Sequence, residues 1–261
     1  MRTETVTSAQ NPKIRNLLSL QEKSRTRREQ GLFVVEGLRE LQHCIEAGFR
    51  VKTLFVCPEI AGEPDLPADQ VILIPAELYR KVAYREGTEG VVAEVEYRNI
   101  GLEDLKLSGN PLVVVLESVE KPGNLGAVLR SADAAKADAV LVCDPLTDLY
   151  NPNLIRASLG GVFTVPTVCV SSEEAVAWLR ARGIRILTAQ LQDSSWYYDV
   201  DMTGGTALVM GTESTGLTGI WREAADAHIK IPMLGRLDSL NVSVSAAILL
   251  FEAVRQRNSA I

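Results

Sequence analysis

The sequence is poor in the residues that form metal sites and disulfide frameworks. It contains four cysteines and two histidines in 261 residues, and no two cysteines are spaced as a CxxC pair. The histidines, His43 and His228, stand far apart in the chain. These spacings argue against a zinc site, so we expect no metal cofactor.

Long apolar runs are also missing. No run reaches the roughly 18 residues that a membrane-spanning helix needs, and the first residues lack the apolar centre of a secretion signal. Hydrophobic residues still make up 46% of the chain, which is enough for a buried core. We therefore expect a cytoplasmic protein with no membrane association.

Two glycine-rich phosphate motifs are absent as well. The chain has neither a Walker A sequence nor a GxGxxG pattern. Without these loops, ATP hydrolysis and NAD-dependent dehydrogenation lack their usual phosphate cradle. A dehydrogenase on a doubly wound sheet is therefore a disfavoured interpretation, which a titration with NADH would exclude.

Positive charge is concentrated at the start of an otherwise acidic chain. The net charge is −6, yet residues 1–30 carry a balance of +4, which leaves −10 for the remainder. A local cluster of this kind indicates either phosphate binding or the solvated end of a helix. The candidate RNA-binding residues are Lys13, Arg15, Lys23, Arg25, Arg27 and Arg28.

The first half of the chain is typical of a small α/β unit. A basic amphipathic helix is predicted over residues 12–30 and is ended by Gly31. Further helices are predicted at 37–47 and 76–81. Short apolar strands are predicted at 32–35, 51–56, 71–74 and 91–95.

The second half alternates strands and helices, which predicts a parallel sheet with helices on both faces. The stretch 98–111, punctuated by glycine and proline, is interpreted as a linker between domains at 1–97 and 112–261. Strands are predicted at 112–116, 139–142, 166–170, 184–189, 206–210 and 227–231. Helices are predicted at 123–136, 152–158, 172–182, 217–225 and 242–256. Ligands of such sheets lie beyond the carboxyl ends of the strands.

The loop after the first strand of the second half carries candidate chemistry. Asn124 offers an amide at the mouth of a helix, and Gly126 permits close approach of the backbone. Arg130 follows about one and a half turns later. A fork of donors here suits a phosphate or a developing oxyanion, while a helix cap beside a surface arginine explains the same residues.

Two later loops also follow strands. In the second loop, Gly211 and Gly216 make a flexible turn around Glu213, whose carboxylate can bind a ribose hydroxyl or an amine. In the third loop, Ser239 and Asn241 precede an apolar helix that either residue could cap. Because the polar run is longer than a cap requires, backbone groups here could line a ligand pocket.

Together the three loops resemble the SpoU (TrmH) branch of the SPOUT methyltransferase superfamily. The motif N-x-G-A-x-x-R matches residues 124–130, G-x-E-x-x-G-L matches 211–217, and I-P-M-x-G-x-x-x-S-L-N-V-S matches 231–243. The family often has Asp-Pro before the asparagine, where this chain has Lys-Pro-Gly at 121–123. The first half resembles the RNA-binding domain of rRNA-modifying members, similar in shape to ribosomal protein L30e.

The resemblance implies a fold, a cofactor and an assembly. The fold is α/β, with an L30e-like N-terminal domain and a C-terminal parallel-sheet domain tied in a deep trefoil knot. The cofactor is S-adenosylmethionine, and the assembly is a homodimer through the knotted domains, with the helix 242–256 in the contact. The implied cofactor-binding residues are Ala189, Leu191, Met210, Gly211, Glu213, Ile231, Met233 and Leu240.

The activity implied is methyl transfer to a ribose 2′-hydroxyl of structured RNA, with 23S rRNA the expected substrate. Arg130 would orient the substrate and assist proton loss, either itself or through a phosphate that it holds. We favour an electrostatic role, because arginine stays charged. Asn124, Ser239 and Asn241 would fix the loops and hydrogen-bond the ribose.

Three other functions are kept as alternatives. A base such as guanine N1 could be methylated with Asp238 as the proton acceptor, although the serine and asparagine pattern favours ribose chemistry. The substrate could be tRNA, although an N-terminal domain of this kind is commoner in rRNA-modifying members. A non-catalytic RNA-binding protein could keep only the fold, but the joint presence of Arg130, Glu213 and Asn241 argues against it.

Overall fold

The structure is a computed structural model, which describes residues 2–83, 89–98, 100–212 and 215–259. The chain divides into two compact units, Met1–Arg98 with Asp148–Thr164, and Asn99–Thr147 with Val165–Ile261. None of the helices within the described ranges is long and apolar enough to cross a membrane.

Helices and strands are numbered in chain order. The helices are α1 (Pro12–Glu22), α2 (Ser24–Gln30), α3 (Leu38–Glu46), α4 (Pro58–Ala61), α5 (Ala76–Val82), α6 (Pro122–Ala134), α7 (Pro152–Ser158), α8 (Gly161–Thr164), α9 (Ser172–Ala181), α10 (Gly219–Ala224) and α11 (Val242–Ser259). The strands are β1 (Arg2–Thr5), β2 (Leu32–Glu36), β3 (Val51–Val56), β4 (Gln70–Leu73), β5 (Val91–Glu96), β6 (Leu112–Glu117), β7 (Ala139–Cys143), β8 (Thr167–Val170), β9 (Arg185–Ala189), β10 (Ser195–Trp196), β11 (Thr206–Met210) and β12 (Ala227–Lys230).

The first unit is built on a mixed sheet. In its described residues the strand order is β1-β4-β3-β5-β2, with β4 parallel to β1 and β3, and β5 antiparallel to β3 and β2. Helix α1 packs on this sheet because Ile14, Leu17 and Leu20 recur at helical spacing and are fully buried. They share one core with Phe55 and Ile72 of the strands.

The helix predicted over residues 12–30 is two helices, because the backbone is extended at Lys23 (φ −113°, ψ 110°). The last carbonyls of α1 therefore lack helical partners. The guanidinium of Arg27 supplies partners, since its Nη1 donates to the carbonyls of Leu20 and Gln21 at 2.7 and 3.1 Å. The break thus places Arg27 inside the unit, where only 2% of it is exposed.

Helices α7 and α8 belong to the first unit, although the sequence pattern assigned them to the second domain. Phe33 of β2 stacks on Tyr150 with ring centroids 4.2 Å apart, and it lies 6.0 Å from Phe163. Arg27 also pairs with Asp148 at 2.7 Å, across 121 positions of the chain. Contacts so distant along the chain leave no periodic signal that sequence reasoning could use.

The second unit contains a seven-stranded sheet in its described residues, ordered β10-β12-β9-β11-β6-β7-β8. Every neighbouring pair in it is parallel, which confirms the predicted α/β class with a parallel sheet. Strands β6 and β11 are buried along their whole length. Burial on both faces accounts for their almost continuous runs of valine and leucine.

The stretch predicted as a linker is packed against the second unit. Ile100, Leu102, Leu105 and Leu107 are partly buried against its core, and Leu102–Asp104 form a 3-10 turn. Polar residues and glycines interspersed among these apolar anchors gave the stretch its linker-like composition.

Candidate active site

A cavity of about 430 Å³ lies at the carboxyl ends of β9, β11 and β12 in the second unit. These strands are neighbours in the sheet, so the segments that follow them meet at one edge. We call it the donor cavity, after the methyl donor predicted to bind there. Seven of the eight residues predicted to bind the cofactor line it. They are Ala189, Leu191, Met210, Gly211, Ile231, Met233 and Leu240. The eighth, Glu213, lies outside the described residues.

The segment after β11 is a tight turn that requires glycine at its first position. The carbonyl of Thr212 accepts the N–H of Gly216 at 3.1 Å, and its hydroxyl accepts the N–H of Thr215 at 3.0 Å. A Cβ on Gly211 would lie 2.3 Å from the carbonyl of Gly216, so a larger residue would force the turn open. Gly211 is therefore needed for the shape of this wall of the donor cavity.

Asn241 joins the third loop to the first. Its Oδ1 accepts the N–H of Ser243 at 3.0 Å and the Ser243 hydroxyl at 2.6 Å, so it caps α11. Its Nδ2 donates to Oδ1 of Asn124 at 3.1 Å. Two of the predicted catalytic residues, 117 positions apart in the chain, are thereby brought into direct contact.

A smaller cavity of about 140 Å³ lies beside the first loop. Asn124 forms part of its lining, together with Val119, Glu120 and Lys121. It shares three residues with the donor cavity, namely Gly211, Thr212 and Val242. We call this smaller cavity the acceptor cavity, after the methyl acceptor. A group bound in it would lie next to a ligand of the donor cavity.

The other two predicted catalytic residues stand in different surroundings from each other. Ser239 lines the donor cavity, and its hydroxyl donates to Asp238 at 3.3 Å. Arg130 is exposed on α6, and the described residues that line the two cavities do not include it. The structure thus places Arg130 at the surface, where an incoming substrate can reach it.

Gln190 lines the donor cavity and was not predicted from the sequence. Its Nε2 donates to the carbonyl of Gln192 at 3.0 Å, but its Oε1 is buried without a partner among the described residues. A ligand amine or hydroxyl would satisfy this oxygen. S-adenosylmethionine carries both kinds of group and suits a cavity of this size, so the residues present fit this cofactor.

Two cations of the donor cavity were also missed. Arg222 and Lys230 line it, and Nζ of Lys230 lies 4.8 Å above the ring of Trp196. Cationic side chains at this position suit a carboxylate such as the one at the methionine end of the cofactor. In the described part of the chain, no group of His, Cys, Asp and Glu side chains could hold a metal ion.

Arg27 corrects one of the predicted RNA contacts. Its guanidinium is buried and is held by the carboxylate of Asp148 and by two backbone carbonyls. A guanidinium that is buried and held in this way stabilises the fold and cannot meet an RNA phosphate. Its place in a run of basic residues gave no sign of this, because charge alone does not report burial.

The other five basic residues predicted to bind RNA are also in the first unit, and they differ in their partners. Lys13 pairs with Glu4, at 2.5 Å, and Arg25 with Glu29, at 2.7 Å. Arg15 donates to Gln10. Lys23 and Arg28 are exposed to solvent.

Two family models and several curated relatives match the chain. Residues 111–251 match the SpoU rRNA Methylase family, and residues 11–93 match the MRM3-like substrate binding domain. A 23S rRNA (uridine(2479)-2′-O)-methyltransferase of Streptomyces viridochromogenes is 32% identical over 246 residues, which cover 88% of this chain and 84% of the relative. The 23S rRNA (guanosine-2′-O-)-methyltransferase RlmB of Ralstonia nicotianae is 36% identical over 214 residues, which cover 80% and 84%.

The fold is shared with solved structures. The AdoMet-bound rRNA methyltransferase from Sinorhizobium meliloti matches with a TM-score of 0.88 at 30% identity, covering 97% of this chain and 98% of that one. The resemblance seen in the three loop motifs is thus confirmed along the sequence and in the fold. The chain belongs to the SpoU rRNA methylase family.

Proposed function

We propose that this chain transfers the methyl group of S-adenosylmethionine to a ribose 2′-hydroxyl of 23S rRNA in the cytoplasm. The observation that carries the proposal is the wall shared by the donor cavity and the acceptor cavity. The named activities of the two curated relatives support the substrate. The AdoMet-bound relative supports the cofactor.

The donor cavity would hold the cofactor. Gly211, Ile231 and Leu240 line it and would bind the cofactor through backbone groups, and Oε1 of Gln190 and the two cations would add polar partners. When bound, the cofactor supplies an electrophilic methyl group on a sulfonium centre.

The acceptor cavity would position the ribose. Asn124 and Asn241 would hydrogen-bond the sugar and hold its 2′-hydroxyl at the shared wall, which removes most of the entropic cost of bringing two reactants together. Arg130, exposed on α6, would pair with a neighbouring phosphate and stabilise the charge that develops as the hydroxyl loses its proton. Because a guanidinium donates hydrogen bonds and offers no acceptor for a proton, its role is electrostatic.

Ribose methylation is favoured over base methylation. Asp238, the carboxylate that base methylation would use, lines the donor cavity and accepts the hydroxyl of Ser239. Among the described residues, the lining of the acceptor cavity does not include it. Asn124 lines the acceptor cavity beside Glu120 and Lys121, and its amide can orient a hydroxyl although it is a poor base.

The first unit would bind the RNA around the target nucleotide. Its match to a substrate binding domain supports this role. Lys23 and Arg28 are exposed at the junction of α1 and α2 and along α2, where they can neutralise phosphates.

We further propose that the protein is a homodimer through α11. Val244 and Phe251 are 47% and 48% exposed, and Ile248 between them is half-buried. Spacings of four and three residues put these side chains on one face of the helix. A second copy covering this stripe would remove apolar surface from water. The trefoil knot implied by the family resemblance also stays a prediction.

Methyl transfer from tritium-labelled S-adenosylmethionine to separated rRNA and tRNA tests the proposed function. We expect label in 23S rRNA with the wild-type protein and almost none with Gly211→Ala, because the added Cβ deforms the turn that walls the donor cavity. Label in tRNA alone, or equal label with both proteins, would contradict the proposal. Melting curves of both proteins control for misfolding.

A further inference from the structure

Glu117, the last residue of β6, is a buried acid without a role in the function described so far. It is only 2% exposed, and both of its carboxylate oxygens are bound by one residue. Oε2 accepts the N–H of Thr218 at 2.8 Å, and Oε1 accepts the Thr218 hydroxyl at 2.6 Å. Burying a carboxylate costs free energy unless its oxygens are hydrogen-bonded. The hydrogen bonds from Thr218 are therefore needed to keep Glu117 buried.

Thr218 is the residue at which the turn after β11 ends. The preceding residue, Leu217, lines the donor cavity, as do Gly211, Thr212, Thr215 and Gly216. The start of the turn is fixed differently, because Met210 pairs with Leu116 in the sheet. Leu116 and Glu117 are consecutive, so the end of one strand, β6, holds both ends of the turn.

A second group of hydrogen bonds lies beside the carboxylate. Ser172, at the start of α9, lies 3.4 Å from Oε1 of Glu117 and donates its hydroxyl to Asp144 at 2.6 Å. The indole of the fully buried Trp221 donates to the same hydroxyl at 3.0 Å. These bonds tie the start of α9 to α10 and to Asp144, the residue after β7, next to the end of β6.

We infer that Glu117 is a positioning residue for the methyl donor: by holding Thr218 it fixes the end of the turn that walls the donor cavity. The inference rests on the proposed placement of S-adenosylmethionine in that cavity. Glu117 acts through hydrogen bonds to Thr218 and does not touch the reacting atoms. Loss of Glu117 should therefore weaken the binding of S-adenosylmethionine more than it slows the methyl-transfer step.

Calorimetric titration of S-adenosylmethionine into purified full-length variants tests this. Glu117→Ala leaves the N–H and hydroxyl of Thr218 without their acceptor, and we expect the Kd to rise about tenfold or more. In Glu117→Gln the amide oxygen accepts the N–H and the amide nitrogen donates to the hydroxyl, so the Kd stays within about threefold of wild type. Donor affinity like that of wild type in Glu117→Ala would overturn the inference. So would a loss in Glu117→Gln as large as in Glu117→Ala, since charge would then be the cause.

Asp138 provides a matched control at the opposite, amino-terminal edge of the same strands. Its carboxylate accepts the N–H of Ser108 at 2.6 Å and that of Leu112 at 2.8 Å. Asp138→Ala removes a similar pair of hydrogen bonds, so we expect a lower Tm with the donor Kd unchanged. A rise in Kd as large as that of Glu117→Ala would show that general loosening of the unit is responsible, and would overturn the inference.

Two further variants keep the outcomes distinguishable. If Glu117→Ala fails to fold, Thr218→Val removes the hydrogen bond to Oε1 and keeps the one to Oε2, so we expect a Kd several-fold higher and a Tm below that of wild type in a protein that still folds. An unchanged Kd in Thr218→Val would then count against the inference. Gly211→Ala tests the cavity itself. If Gly211→Ala binds S-adenosylmethionine as tightly as wild type, the placement of the donor in this cavity is refuted. If Gly211→Ala loses affinity for the donor but Glu117→Ala keeps it, only the role of Glu117 is refuted.

Discussion

Arg130 and Asn124 share one helix, α6, yet they stand in different surroundings. Asn124 contacts Asn241 and lines the acceptor cavity, whereas Arg130 is exposed to solvent. Exposure is what an electrostatic partner of RNA requires, since the substrate must reach it from solution. The amide pair, in contrast, can position a small group only because it is held by the fold.

Replacing Arg130 separates catalysis from donor binding. We expect Arg130→Ala to lower kcat about a hundredfold or more, because the variant has no charge aimed at the developing alkoxide. The Kd for S-adenosylmethionine should change little, because Arg130 is not among the described residues of the donor cavity. Single-turnover kinetics and calorimetry measure the two quantities. Loss of donor binding in this variant would remove Arg130 from the role assigned to it.

Basic residues of the first unit should divide into two classes. Arg27→Ala leaves the carboxylate of Asp148 without its ion-pair partner, and breaking a buried pair of this kind costs about 3 kcal/mol or more of stability.

The double variant Lys23→Ala/Arg28→Ala should keep its Tm but bind rRNA more weakly. The plot of log affinity against log salt concentration should also be less steep, by about 0.7–0.9 for each RNA phosphate that the variant no longer neutralises. Thermal melts and filter binding at several salt concentrations check both. Unchanged RNA affinity in the double variant would contradict the RNA-binding role.

The sequence identified the site residues that lie in motifs and missed those that matter through burial. Gly211 and Asn241 follow from loop spacing, because a turn and a helix cap restrict residue type locally. Gln190 and Glu117 depend on what surrounds them in three dimensions, and no local pattern marks an unpaired amide oxygen or a buried carboxylate. Arg27 shows the converse, a residue whose type suggested binding but whose burial makes it structural.

At the scale of elements, α11 offers the clearest test of assembly. Phe251→Asp places a charge on the exposed stripe, so we expect the dimer to dissociate into monomers. Sedimentation velocity measures the mass directly. Leu146→Asp, which changes a 62% exposed leucine outside this helix, serves as the control and should leave the dimer intact. A wild-type protein that is monomeric at micromolar concentration would contradict the proposed assembly.

The contact between α1 and β5 gives a pH-dependent prediction. Burial raises the pKa of Glu94 above its usual range, and hydrogen bonds from Thr53 and Asn16 offset this only in part. Because the pKa is higher in the folded state, the protonated form favours folding, and this contribution is lost as the pH rises from the unfolded to the folded pKa. Glu94→Gln should therefore melt higher than wild type at pH 7 and at nearly the same temperature at pH 4.

Differential scanning calorimetry at the two pH values measures this effect. Glu96→Gln, a change to a more exposed acid on the same strand, is the control and should show no such pH-dependent gain. A Glu94→Gln variant that is less stable than wild type at pH 7 would contradict the sign of the shift.

The types of the elements were predictable where burial leaves a clear apolar pattern, whereas the residues at which elements begin and end were less predictable. Strands such as β6 and β11 follow from their continuous apolar runs. The break at Lys23 could not be predicted, because the residues on both sides of it have helical patterns. The break is stabilised by the side chain of Arg27, which donates to the end of α1. The edge strands β1 and β10 were also missed, since four and two residues carry too little periodicity.

At the scale of the whole molecule, the chain is two α/β units that are not two continuous segments. The second-unit sequence is interrupted by Asp148–Thr164, which pack with the first unit. The parallel sheet was predictable because apolar strands alternate with helices, and the family was predictable because three motifs occur in its order and spacing. The crossing of residues 148–164 into the first unit was not, since it depends on aromatic contacts such as Phe33 with Tyr150.

The identity of the methylated atom tests the central claim most directly. Purified protein is incubated with unmodified 23S rRNA and labelled S-adenosylmethionine, and the RNA is then hydrolysed with alkali and its nucleosides are identified by mass spectrometry. We expect a single 2′-O-methylated nucleotide, recovered in an alkali-resistant dinucleotide and absent with Arg130→Ala. Label on a base such as guanine, in fully alkali-sensitive RNA, would contradict ribose methylation.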